Sequence, residues 1–288
     1  MGQTLTTTTT TTSSLLIVST RGHYNSSLAG KLIQGHNETD YQYYINNIPK
    51  TQNEIICPKQ KEIAVFIHGV WTDETSANEQ FNRTAISLAS NNYTIPLIGF
   101  SWDSNTPINK WGWEIAKAIA ENNGPKLAQF ISNFKNKCKD TDIRLIAHSQ
   151  GAVVVNSTLV ALSNNQALNN NNSFNIKSVH LLGAAVDRNA TASNTTFGKA
   201  IEDTVDNFYN LRNPEDNMLE YVYRYIENHD ALGLVGIQHS LPLPRDYSER
   251  QVIQSIIIYL YNIFFCILYK FAIKISYKIS SISCMFNG

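Results

Sequence analysis

Arg144-Leu-Ile-Ala-His-Ser-Gln-Gly-Ala-Val-Val-Val155 is the stretch that decides the architecture. Ile143 to Ala147 is a short aliphatic run of the kind that forms a buried strand, and a helical pattern runs from Gly151 to about Leu162. Only His148, Ser149 and Gln150 lie between them. A strand that enters a helix through so tight a turn holds the middle residue in a strained conformation and projects its side chain outward. Neighbouring backbone crowds the positions two before and two after that residue, so both must be small. Ala147 and Gly151 meet the demand, with alanine standing where glycine is usual. The first turn of the helix directs its unbonded amides and its positive dipole end at the same point. Ser149 is therefore the candidate nucleophile, and the amide of Gln150 a candidate donor to an oxyanion.

Working outward, short apolar runs alternate with helical patterns from residue 60 to about residue 240. The pattern predicts strands at Leu15–Val18, Ile63–Ile67, Ile95–Phe100, Val179–Gly183, Val205–Leu211 and, as the last, Leu232–Ile237. Helices are predicted at Ala77–Ser90, Trp113–Lys137 and Asn217–Asn228, with Gly124-Pro125 expected to break or restart the second. This alternation predicts an α/β fold, a mainly parallel sheet with helices on both faces.

Phe66-Ile-His-Gly-Val-Trp71 is a second strand that ends in a turn, about 80 residues before Ser149. An oxyanion needs two amides, and the loop after Gly69 would supply the second from Val70 or Trp71. His68 reads as a structural residue beneath that loop and His148 as a packed side chain. Trp111 and Trp113 read either as walls of an apolar pocket or as packing at a helix start. Phe100 reads as core and Asp103 as a loop cap.

Composition narrows the function classes. The 288 residues carry 23 basic and 23 acidic side chains, a balance that excludes a nucleic-acid binder working by phosphate neutralisation. A hydrophobic fraction of 43% excludes wholesale disorder. The four cysteines, Cys57, Cys138, Cys266 and Cys284, form no CxxC pair and are too few for a disulfide framework in a chain of this length. The histidines lack HExxH spacing and no glycine-rich phosphate loop stands out, so neither a metal nor a cofactor is expected. Asn25, Asn37, Asn82 and Asn92 head glycosylation sequons, which an Asn-rich chain produces by chance.

Met1 to Ser14 is a threonine-rich tract that reads as a disordered arm, without the basic and apolar regions of a secretory signal. Residues 251–288 read as an apolar C-terminal helix or tail. Its 18 residues from Val252 to Tyr269 would reach about 27 Å as a helix, just short of a hydrocarbon core of about 30 Å. Lys270, Lys274 and Lys278 follow on one helical face. Three readings stand: a membrane anchor with the folded domain on the extracytoplasmic side, a buried closing helix, or an unselected extension. Without an anchor, a cytoplasmic location is the expectation.

Ile67-His-Gly, Gly99-Phe-Ser-Trp-Asp103, Asn123-Gly-Pro-Lys-Leu127 and Ala147-His-Ser-Gln-Gly151 occur in an order that resembles the α/β-hydrolase superfamily, in particular its microbial lipase and esterase-type members. The resemblance covers roughly residues 15–250. It implies cleavage of a carboxylic ester, of a small molecule or a lipid, through an acyl-enzyme and without a cofactor. It also implies a triad in the chain order serine, acid, histidine. Asp216, in the loop after the strand Val205–Leu211, is the expected acid; Asp187 and Glu215 are alternatives, and Asp187 reads otherwise as a partner of Arg188. Only His229 and His239 follow the acid. His239 is the expected base, since it follows the predicted last strand at the sheet's carboxyl end. Members of the superfamily often carry this histidine in a further C-terminal loop, and residues from Val252 onward contain none. The alternative is therefore a non-catalytic relative that binds a partner or a lipid at a membrane.

Overall fold

The computed structural model of the chain describes residues 15–168 and 175–252. The threonine-rich arm and the apolar segment from residue 253 lie outside the described residues. β1 (Leu16–Ser19) leads to a hairpin of β2 (Gln42–Ile45) and β3 (Ile48–Lys50), then to β4 (Glu62–Ile67) and α1 (Glu74–Ser90). β5 (Leu97–Ser101), α2 (Lys110–Lys137), β6 (Asp142–His148) and α3 (Gly151–Leu168) form the middle of the chain. β7 (Ser178–Leu182), α4 (Thr196–Thr204) and β8 (Phe208–Arg212) follow. A π-helical turn, Met218–Tyr223, continues into α5 (Arg224–Glu227), and α6 (Leu232–Val235) and β9 (Tyr247–Gln251) complete the described chain.

The strands make one sheet in the order β3-β2-β1-β5-β4-β6-β7-β8-β9. Among the described strands, the β1–β2 and β2–β3 pairs are antiparallel and the others parallel. The central strand β4 is buried on both sides, as a parallel sheet covered on two faces requires. Ile63, Val65 and Ile67 join the large core beneath α2, α3 and α4, whereas Ala64 and Phe66 pack with Ala77 and Phe81 of α1 on the opposite face. The predicted fold class is thus the observed one.

Several elements differ from the sequence expectation. Pro125 does not interrupt α2. The carbonyl of Glu121, four residues back, loses its helical donor to the proline ring; Ser157 Oγ of α3 donates to it instead at 2.6 Å. Gly124 is the close-approach point of the two helices, where a Cβ would lie 2.3 Å from that serine's Cβ and Oγ. α4 was not expected, and the strand read at Val205–Leu211 begins at Phe208 because α4 runs to Thr204. The edge hairpin was not expected either, although Asn46 and Asn47 carry the paired positive φ of 51° and 62° that a two-residue hairpin turn needs.

The predicted last strand, Leu232–Ile237, is a short helix, α6, laid across the ends of β7 and β8: Gly233 N–H donates to Ala184 and its carbonyl accepts from Asn213. The last strand among the described residues is β9. Cys57 and Cys138 form a disulfide that ties the segment before β4 to the end of α2, a bond that the cysteine spacing did not predict. Among the described residues no helix is long and apolar enough to cross a membrane.

Candidate active site

Ser149 sits between β6 and α3 with a φ of 54°, the left-handed region that a side chain enters only when its surroundings hold it there. Its N–H donates to Leu182 at the end of β7, and its carbonyl accepts from Ala152 and Ala185. Gly151 is obligatory: a Cβ there would lie 2.7 Å from the carbonyl oxygen of Ile67 and 2.9 Å from that of His68. Ala147 is fully buried between Ile67 and Leu181 in the register, so its methyl fits at the other small position. Ser149 itself is only half-buried.

Because β4 pairs with β6, the turn after Ile67 meets the turn after Ala147. His68 anchors that loop from below. It is fully buried and stacked on Trp102, accepts the Trp102 N–H at Nε2 (3.1 Å), and holds Gly69 O at 2.9 Å from Nδ1. Those partners assign the proton to Nδ1. Burial first, and then the Arg21 guanidinium, push His68 well below the usual imidazole range, which suits a neutral anchor better than a proton shuttle.

Arg21, a residue that sequence reading passed over, bridges the turn after β1 to this loop. It donates to Thr72 O at 3.0 Å and Ser101 Oγ at 2.8 Å, and lies 3.1 Å from His68 Nε2. Its only sequence signal was a lone arginine at a strand's carboxyl end.

The amide of Trp71 donates to Ser104 O at 2.8 Å, and Trp71 has a φ of 55°. Trp71 is thereby corrected as an oxyanion donor, since its N–H is already paired. The amides of Val70 and Gln150 make no hydrogen bond among the described residues. Both residues are buried, Val70 at 1% exposure and Gln150 at 0%. A buried backbone N–H without a partner is uncommon, and here two lie in the adjoining turns that meet at Ser149.

A narrow cleft opens on Ser149, lined by Val70, Trp113, His148, Gly183, Asp216, Met218 and Leu219. Asp216 is 2% exposed, and Oδ1 accepts the Leu219 N–H at 3.1 Å, which fixes the carboxylate at the start of the π-helical turn. Oδ2 lies 3.2 Å from where a Cβ on Gly183, just past β7, would stand. Trp113 lines the cleft and also packs in the core, so both readings of that residue hold; its indole N–H is held by Glu227 at 2.9 Å. Trp111 is exposed. His148 lines the cleft, and burial lowers it to about 4.

The remaining candidates fall elsewhere. His239 is exposed and not among the lining residues. Its loop leaves Ile237, whose N–H is bound by Glu249 of β9, three strands from β6 and about 14 Å away at ordinary strand spacing. His239 was placed by an expected strand that is α6, so it follows no strand end at all. Asp187 and His229 pair with each other instead, Oδ2 to Nδ1 at 3.2 Å, on a neighbouring shallow surface with Arg188 and Arg224. Tyr223 and Trp113, in edge contact, separate His229 from the Ser149 cleft. Glu215 is exposed. The structure thus gathers Ser149, Gln150, Val70 and Asp216, and brings neither His239 nor His229 to them.

A family model described as "Alpha/beta hydrolase of unknown function (DUF900)" matches residues 47–257. No curated protein matches the chain in sequence. Among solved structures, the catalytic core domain of acetyl xylan esterase from Trichoderma reesei is similar with a TM-score of 0.36 at 14% identity, over 67% of this chain and 82% of that one. A lipase-esterase related protein from Clostridium acetobutylicum gives 0.33 at 11% identity, over 68% and 86%. MenH from S. aureus gives 0.35 at 10%, over 76% and 94%. At these identities and scores the likenesses bear on neither substrate nor mechanism.

Proposed function

The chain belongs to this α/β-hydrolase family, and on that premise we propose that it cleaves carboxylic esters through an acyl-enzyme formed on Ser149. The observation that carries the reading is the pair of buried, unpaired amides, Val70 and Gln150, beside a strained and reachable serine. Ser149 Oγ attacks the ester carbonyl as its proton passes to the base, and the two amides hold the oxygen as it gains charge; the ester C–O bond then breaks, the alcohol leaves with that proton, and water hydrolyses the acyl-serine. The apolar wall of Val70, Trp113, Met218 and Leu219 receives the acyl part. Asp216 orients the base and stabilises its charge. Chain order offers His239 as that base; in this reading its loop carries it from the β9 side to the cleft before the proton moves.

The position of His239 favours a second reading, a non-catalytic relative that binds a partner or a lipid near a membrane. Turnover of short p-nitrophenyl esters separates the two. The enzyme reading expects labelling of Ser149 by a fluorophosphonate, with turnover abolished in His239→Ala and kept in His229→Ala. Absence of both labelling and turnover supports the second reading, and loss in His229→Ala alone moves the base to that residue. The Cys57–Cys138 bond supports placing the domain in an oxidising compartment.

A further inference from the structure

We infer that His23, His36 and Asp40 form a binding site for a divalent cation of the zinc class, apart from the Ser149 cleft. The three residues lie in the segment between β1 and β2, ahead of the matched residues 47–257. Each offers one ligand atom, and these atoms all lie within 4.8 Å of one another. Asp40 Oδ2 is 2.7 Å from His36 Nδ1, and Oδ1 is 3.4 Å from His23 Nδ1. The two imidazoles are stacked with centroids 3.8 Å apart, so their Nδ1 edges face the same carboxylate. Two imidazoles and one carboxylate are a common donor set for zinc that leaves a coordination position open.

The independent observation is His23. Its side chain is 1% exposed, yet neither ring nitrogen has a hydrogen-bond partner. Buried polar nitrogens are almost always paired, and one aimed at a carboxylate and a second imidazole is explained by a cation between them.

Lys126 is the opposing group. Its ammonium, fully buried, donates to Asp40 Oδ1 at 2.5 Å and stands 5.3 Å from the Tyr24 ring centroid. It leaves Oδ2 for the metal, which takes the place of the His36 Nδ1 proton. Its charge weakens the site without closing it.

The test is equilibrium dialysis of the chelator-treated full chain against Zn²⁺, with Co²⁺ absorption as a second readout. His36 is partly exposed, so His36→Ala removes a ligand without opening the core. The wild type is expected to bind one equivalent, with a cobalt band of nitrogen and oxygen ligation and a Tm raised by Zn²⁺. His36→Ala is expected to lose at least tenfold in affinity, and His36→Gln to behave like it. Failure of the wild type to bind one equivalent overturns the site, as does equal binding by wild type and His36→Ala.

Discussion

Gly69 and Ser149 stand so close that a Cβ on the glycine would lie 2.9 Å from the Cβ of the serine and 3.3 Å from His148 Nδ1. The loop that presents Val70 and the elbow that presents Ser149 are therefore in direct contact, and their spacing is set by a missing side chain. Gly69→Ala is expected to push Val70 N–H out of place. Loss of one oxyanion donor costs about 10²–10³ in rate, so fluorophosphonate labelling of Ser149 should slow by about that factor while circular dichroism stays unchanged.

Asp216 and Asp187 make opposite predictions. Asp216 is buried at the cleft, whereas Asp187 pairs with His229 outside it. Asp216→Asn should lower kcat for a short p-nitrophenyl ester by about 10³–10⁴, the scale of a triad acid, and Asp187→Asn by less than tenfold. Steady-state kinetics of the two variants, with the reverse ranking as the contrary outcome, decides the acid.

Ser157→Ala tests the join between α2 and α3. The hydroxyl supplies the donor that Pro125 denies to the Glu121 carbonyl, and a hydrogen bond of this kind contributes about 1 kcal/mol. Urea unfolding should show a loss near that size. Gly124→Val, which places side-chain atoms against Ser157, should cost more, about 1–3 kcal/mol by overpacking.

Acid should weaken the fold before the carboxylates titrate. His23, His148 and His180 are each lowered by burial to about 4, from an ordinary 6.5. Between those values the unfolded chain binds protons that the native chain refuses. The stabilisation is thus complete above about pH 6.5 and is lost as pH falls toward 4, with a slope of up to about 1.4 kcal/mol per pH unit for each histidine. Urea midpoints should fall between pH 7 and pH 5, and His180→Gln should flatten the slope. A midpoint independent of pH over that window contradicts the assignment.

The elbow and the His68-Gly69 turn were readable because each is local: a strand, a tight turn and small residues at fixed offsets. The pairing of β4 with β6 then brings them together without further information. The end of the sheet was not readable. β9 is Tyr-Ser-Glu-Arg-Gln, a polar edge strand with no apolar run, while the apolar Leu232–Ile237 owes its character to packing over Gly183 and Ala184 as a helix. That exchange is what misplaced His239. The Cys57–Cys138 bond and the His23–Asp40 cluster depend on pairings in space that spacing along the chain does not encode. Gly124-Pro125 read as a break because its compensation, Ser157, sits on another helix.

The acyl-enzyme itself gives the most direct test. A stoichiometric amount of wild-type chain mixed with p-nitrophenyl acetate, quenched early and digested, should show an acetyl mass increase on the peptide bearing Ser149. Its formation should match a burst of p-nitrophenol that Ser149→Ala lacks. An identical burst in Ser149→Ala, or no acetyl group on that peptide, contradicts Ser149 as the nucleophile.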